Sequence, residues 1–157
     1  MSQEQDSIIN DVEILVKVKP HWLTSLANTA ALLYTKMPDI SWVGFYLLQE
    51  NELILGPFQG KIACAYIKIG QGVCGIAFLK RETLVVPNVH EFPGHIACDP
   101  ASCSEIVVPL KKGERTLGVL DIDSTSYFRF TDKDRKMLET IASMLTMYCN
   151  IEEFVDC

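Results

Sequence analysis

Cys98, Cys64 and Cys74, with the acids Glu105, Asp121 and Asp123, are the residues of this chain whose types allow thiol redox chemistry. Cys98 lies in Gly94-His95-Ile96-Ala97-Cys98-Asp99, Cys64 in Lys61-Ile62-Ala63-Cys64-Ala65, and Cys74 in Gly70-Gln71-Gly72-Val73-Cys74-Gly75. A cysteine attacks as its thiolate and needs an exposed, polarising setting. His95 supplies one if it meets Cys98 in space, and Asp99 acts against it. On residue type alone a single loop cysteine is more often inert than reactive. Cys64 and Cys74 have an equally plain reading as small buried hydrophobes, free cysteine being among the most buried residue types. No CxxC pair is present, so a thioredoxin-like motif is absent.

The acids offer the complementary half of such chemistry. Asp121 and Asp123 are two apart in a strand-like run, so their side chains share one face while Leu120 and Ile122 take the other. Acids on the outer face of a strand are usually just solvated. If the two neighbouring strands form a hairpin, however, these two lie opposite Glu105, although the register is not readable from sequence. Three carboxyls on one concave surface repel one another, and at least one then keeps its proton at neutral pH. Such a group is a proton donor. The competing use of the same region is a zinc site from His90, His95, Cys98 and Cys103. Structural zinc sites pair ligands two to four residues apart in two knuckles, and here only His95 and Cys98 have that gap, so no metal is expected.

Composition narrows the setting. A chain of 157 residues is one domain's worth, 1–157, with room for a core and none for a separate output domain. Fourteen basic against 20 acidic residues give a formal charge of −6, and the only basic cluster is Lys111-Lys112, which argues against a nucleic-acid partner. The start, Met1-Ser2-Gln3-Glu4-Gln5-Asp6, lacks the basic and apolar regions of a secretory signal. No apolar run approaches the ~18 residues of a membrane span. A cytoplasmic protein without membrane contact is expected, its six cysteines reduced at rest and any disulfide transient and catalytic.

The elements that must position these residues follow from periodicity. Ile8, Ile9, Val12, Leu15 and Val16 predict a helix over 7–18, stopped by Pro20, and a second runs over 21–36. Trp42 to Leu48 and Leu53 to Pro57 read as strands joined at Glu50-Asn51. Trp42 and Tyr46 share one face of the first, and Val43, Phe45 and Leu47 the other. A helix over 72–81 and a strand over 83–86 precede an aperiodic segment, Asn88 to Ser104, which has the length of a functional loop. Glu105 to Leu110 and Thr116 to Asp123 read as a hairpin across Lys112-Gly113-Glu114. Thr131 with Asp134 resembles an N-cap, and Leu138, Ile141, Leu145 and Tyr148 form the stripe of a closing helix on which Cys149 packs, with Cys157 at the free end. The order is α+β: two helices, a mainly antiparallel sheet, and a last helix.

The cysteine set, the Gly94–Asp99 loop, Gly70–Gly75 and Gly118-Val119-Leu120-Asp121-Ile122-Asp123-Ser124 together resemble the free methionine-(R)-sulfoxide reductases, which are single GAF domains. The resemblance covers nearly the whole chain. It implies a sheet with the N- and C-terminal helices on one face and a loop-built pocket on the other. It implies an enzyme reducing free L-methionine-(R)-sulfoxide, with Cys98 as nucleophile and Cys64 and Cys74 as further redox cysteines. Cys64, in a loop leaving the second strand, is favoured to resolve the Cys98 sulfenic acid as a disulfide, with Cys74 secondary or structural. Thioredoxin, at about −270 mV, is the implied reductant, and no metal or organic cofactor is implied.

The same resemblance assigns Glu105 and Asp123 to the sulfoxide oxygen, Asp121 to the substrate ammonium, and Trp42 and Tyr46 to a pocket wall for the thioether methyl. Cys103 departs from it, since a non-sulfur residue is usual there. GAF domains often pair through terminal helices, which raises a homodimer. They also more often sense small ligands than catalyse, so a ligand-binding GAF module acting in trans is the rival reading. Such a module gives no account of the cysteines.

Overall fold

Ser2 accepts a hydrogen bond from the Gln5 amide while Gln5 reaches back to the Ser2 amide, a capping box that opens helix α1, Gln3–Lys17. The helix therefore begins ahead of the apolar spacing, which marks only the part that is buried: Ile8, Val12 and Val16. Helix α2, Trp22–Lys36, starts where His21 Nδ1 accepts from the Leu23 amide at 3.2 Å. This computed structural model describes residues 1–157.

Six strands follow: β1 Trp42–Gln49, β2 Glu52–Gln59, β3 Tyr66–Lys68, β4 Leu84–Val86, β5 Ser104–Lys112 and β6 Arg115–Ser124. They form one sheet in the order β3-β2-β1-β6-β5-β4, antiparallel at every pairing. Helix α3, Gly72–Lys80, lies between β3 and β4; α4, Asp132–Tyr148, and a short α5, Glu152–Val155, close the chain. A single 3-10 turn, Val89–Glu91, interrupts the long loop before β5. Strand β3 and helix α5 are additions to the elements that periodicity predicts. Each is short, and β3 buries only its middle residue, Ile67, so neither carries a readable period.

Strand alternation sorts the side chains onto two faces. Val43, Phe45 and Leu47 of β1, Ile106 and Val108 of β5, and Leu120 and Ile122 of β6 pack with α1, α2 and α4 in the larger core. Each such buried side chain contributes about 1.5–3 kcal/mol relative to exposure, so this face holds the strands rigid. Trp42 and Tyr46, Val107 and Val119 point the other way and meet Ile67, Val73, Cys74 and Ala77 under α3. That second, smaller core is the floor of the site. Gly75 lets α3 close on it: a Cβ there would collide with the Lys68 carbonyl of β3. Thr131 caps α4 with the expected partner, Asp134. No helix is long and apolar enough to cross a membrane.

Candidate active site

The β5–β6 hairpin turns on Gly113-Glu114, pairing Lys112 with Arg115, and its register sets Glu105 directly across from Asp123. On its other side β6 pairs with β1, placing Trp42 opposite Asp123 and Gly44 opposite Asp121. Three carboxyls are thus brought to one patch of the sheet by pairing alone. Glu105 and Asp121 are each 5% exposed, as buried as the core around them. Helix α3 lowers Cys74 onto this patch, its Sγ donating toward Glu105 Oε1 at 3.9 Å. His95 comes from the long loop, with Nε2 3.6 Å from Glu105 Oε2. His95 therefore meets Glu105, where the sequence suggested a partnership with Cys98.

Burial dominates the electrostatics. It raises the Glu105 carboxyl to about 8, helped by the charge of Asp123, and pushes Asp121 well above the carboxylate range, helped by Glu105. Asp123 moves the same way through burial and then the charges of Asp121 and Asp99; its partial contact with water through the pocket tempers that push without reversing it. Burial also lifts the Cys74 thiol, with Asp121 and Glu105 adding to it, so Cys74 is held as a neutral SH. His95 is lowered by burial and stays neutral beside Glu105. The cluster stores protons at neutral pH.

A cavity of about 50 Å³ opens above these groups. Its walls carry four carboxyls, Asp99, Glu105, Asp121 and Asp123, with Cys74, Cys98, Ser102 and His95, and no Lys or Arg. Trp42 and Tyr46 form the aromatic side, their rings stacked with centroids 6.1 Å apart. Gly44 makes this possible, because a Cβ there would overlap the Trp42 ring. Both aromatics also grip the loop that carries Cys64: Trp42 Nε1 donates to the Lys61 carbonyl at 3.1 Å and the Tyr46 hydroxyl to the Cys64 carbonyl at 2.8 Å. Cys64 is joined to Cys98 in a disulfide across 34 residues, with Cα atoms 5.7 Å apart.

Seven of the eight residues singled out from sequence, Trp42, Tyr46, Cys74, Cys98, Glu105, Asp121 and Asp123, line this one cavity, and the eighth, Cys64, is bonded to Cys98. Cys103 is not among them; its thiol turns to the Ala101 carbonyl at 3.6 Å. Of the residues weighed for zinc, His90 packs its ring on Tyr127 while His95 faces Glu105. Cys149 is buried in the larger core and Cys157 is exposed. Sequence reasoning missed Ser102, 5% exposed in the cavity wall, and Gln71, Gly72 and Val73 at the start of α3. Serine in an aperiodic loop gives no signal, and Gly72 and Val73 at the α3 start are polar only through their backbone.

Such a sheet, with helices on one face and an acid-lined, thiol-bearing pocket on the other, is a GAF architecture, and the GAF domain family model matches residues 22–148. The free methionine-R-sulfoxide reductase of Escherichia coli is 51% identical over 135 residues, covering 86% of this chain and 82% of that protein. That of Saccharomyces cerevisiae is 46% identical, covering 82% and 76%. The X-ray structure of the Neisseria meningitidis free methionine-R-sulfoxide reductase in complex with its substrate superposes with a TM-score of 0.91 at 39% identity, over 98% of this chain and 94% of that one. The chain belongs to the free methionine-R-sulfoxide reductase family of GAF domains.

Proposed function

We propose that this protein reduces free L-methionine-(R)-sulfoxide to methionine. The observation that carries the reading is a cavity holding a disulfide-paired cysteine among four carboxyls with no Lys or Arg on its wall. A pocket so rich in carboxyls suits a cationic ligand, whose charge favours loss of a proton from an acid beside it, and the ammonium of a free amino acid is one. Asp121, buried with Oδ1 lacking a hydrogen-bond partner, is its anchor. The start of α3 takes the other end. Gln71 gives that helix no side-chain cap, so the first-turn amides at Gly72 and Val73 are available to a carboxylate. Trp42 and Tyr46 receive the methyl group.

In the reaction, the Cys98 thiolate attacks the sulfoxide sulfur while Glu105 and Asp123 supply protons to the oxygen. Methionine leaves, its sulfur reduced by two electrons, and Cys98 is oxidised to the sulfenic acid. The Cys64 thiol then displaces that hydroxyl, giving water and the Cys64–Cys98 disulfide. A dithiol reductant of the thioredoxin class returns both cysteines to thiols by exchange. Cys74, held neutral against Glu105, serves the pocket and stands in reserve as a second resolving thiol. His95 keeps the Cys98 loop in contact with Glu105.

A thioredoxin-coupled assay on the two epimers of free methionine sulfoxide and on a peptide-bound sulfoxide tests the proposal. Turnover of the free R epimer alone is expected, because holding both charged ends leaves no exit for a chain. Comparable rates on the peptide-bound form would refute it. Tight binding of some other small ligand with no turnover would favour a sensing module.

A further inference from the structure

The Cys74 sulfur and one carboxylate oxygen each from Glu105 and Asp121 lie within 4.8 Å of one another, all three residues buried. None of this triad is the pair that forms the disulfide. The 3.9 Å between Cys74 Sγ and Glu105 Oε1 is close to the about 3.6 Å that sulfur and oxygen keep on a tetrahedral zinc ion. Asp121, 95% buried by its 5% exposure, turns into the cavity with Oδ1 unpartnered, an oxygen that has lost water and gained nothing. His95 Nε2 stands 3.6 Å from the second oxygen of Glu105. One sulfur, two carboxylates and an adjacent imidazole form the donor set of a borderline-soft divalent ion.

Size points the same way. With Cys64 and Cys98 joined, the cavity of about 50 Å³ has room for a few water molecules, each needing about 10–15 Å³, and hence for one partly hydrated ion. No Lys or Arg on its wall opposes a cation.

We propose that Cys74, Glu105 and Asp121 form a site for a zinc-class divalent cation, present while the Cys64–Cys98 disulfide is closed. Binding displaces to solvent the proton of Cys74 and those held by Glu105 and Asp121, and leaves the oxidation state of every sulfur unchanged. The metal occupies the two acids that the proposed reaction needs for proton supply and for the substrate ammonium. On that reading, free zinc holds the enzyme in its disulfide form and slows its return to the reduced state, without competing with substrate.

The test uses Co²⁺ as a spectroscopic stand-in, titrated anaerobically into the full-length disulfide form with the outlying thiols removed as Cys103→Ser and Cys157→Ser. Cys149 stays in place, 2% exposed in the other core. A near-ultraviolet thiolate-to-cobalt band that saturates at one equivalent is expected and is reversed by Zn²⁺. It disappears in Cys74→Ser, and in Asp121→Asn the affinity falls roughly tenfold or more. Absence of the band, its persistence in Cys74→Ser, or undiminished affinity in the folded Asp121→Asn protein would overturn the site. Because the disulfide form cannot turn over, the result is independent of the proposed activity: failure of the metal leaves the reductase reading standing, and failure of that reading leaves the band.

Discussion

The Tyr46 hydroxyl donates a 2.8 Å hydrogen bond to the carbonyl of Cys64, so the aromatic wall of the pocket and the backbone of Cys64 are one mechanical unit. A side chain from the rigid first strand reaches across to fix a loop with no secondary structure of its own. The cavity wall and the disulfide-bearing loop are thereby tied through the same residue.

Tyr46→Phe keeps the ring and removes only that tie. Loss of one such bond costs about 1 kcal/mol, or about fivefold in a rate that depends on it. The first release of methionine is expected to be unchanged, while closure of the Cys64–Cys98 disulfide slows about fivefold. Single-turnover kinetics with quantification of free thiols separates the two steps. Equal slowing of both would mean that the hydroxyl serves the substrate and not the loop.

Asp123→Asn retains shape and some hydrogen bonding while removing a transferable proton. If Asp123 protonates the departing oxygen, the chemical step slows by roughly a hundredfold, the usual scale for a lost general acid. Cys98 in the reduced variant still reacts with a small alkylating agent. An unchanged single-turnover rate would take Asp123 out of the chemistry, and a collapse of alkylation as well would indicate a damaged fold.

Stability should depend on pH in the sense opposite to that of a salt-bridged acid. Glu105 is raised to about 8 in the fold, and Asp121 and Asp123 are also raised, so the native state keeps protons that the unfolded chain has released. Their contribution is complete below the ordinary carboxyl range and is lost as pH rises from about 4.5 towards about 8. Thermal melts of the protein are expected to shift downward across that window, and Glu105→Gln to flatten the slope. A melting temperature that climbs with pH over the same range would contradict the buried, proton-holding cluster.

Much of this site is legible in the sequence. Period-two alternation puts Asp121 and Asp123 on one face of their strand and Trp42 with Tyr46 on one face of theirs, since each follows from the pleat of a single strand. What joins the two strands to Glu105 is not legible. The pairing of Glu105 with Asp123 depends on a two-residue turn at Gly113-Glu114 and an irregularity after Leu110, and a shift of one residue would send every acid to the opposite face. Cys74 is 4% exposed on a helix buried along most of its length, so its position beside Glu105 is hidden behind ordinary core composition. The contact of His95 with Glu105 is made from a loop without periodicity. Resemblance names Cys64 and Cys98 as redox cysteines, but residue spacing alone cannot bring together two positions 34 apart.

The central claim is that Cys98 is the attacking thiol and Cys64 the one that follows. Its most direct measurement is rapid-quench release of methionine from the free R epimer in the absence of any reductant. Cys64→Ser, made with Cys103→Ser so that no nearby thiol substitutes, is expected to release about one methionine per enzyme and then stop as a sulfenic acid. Cys98→Ser is expected to release none. A full burst from Cys98→Ser would contradict the account.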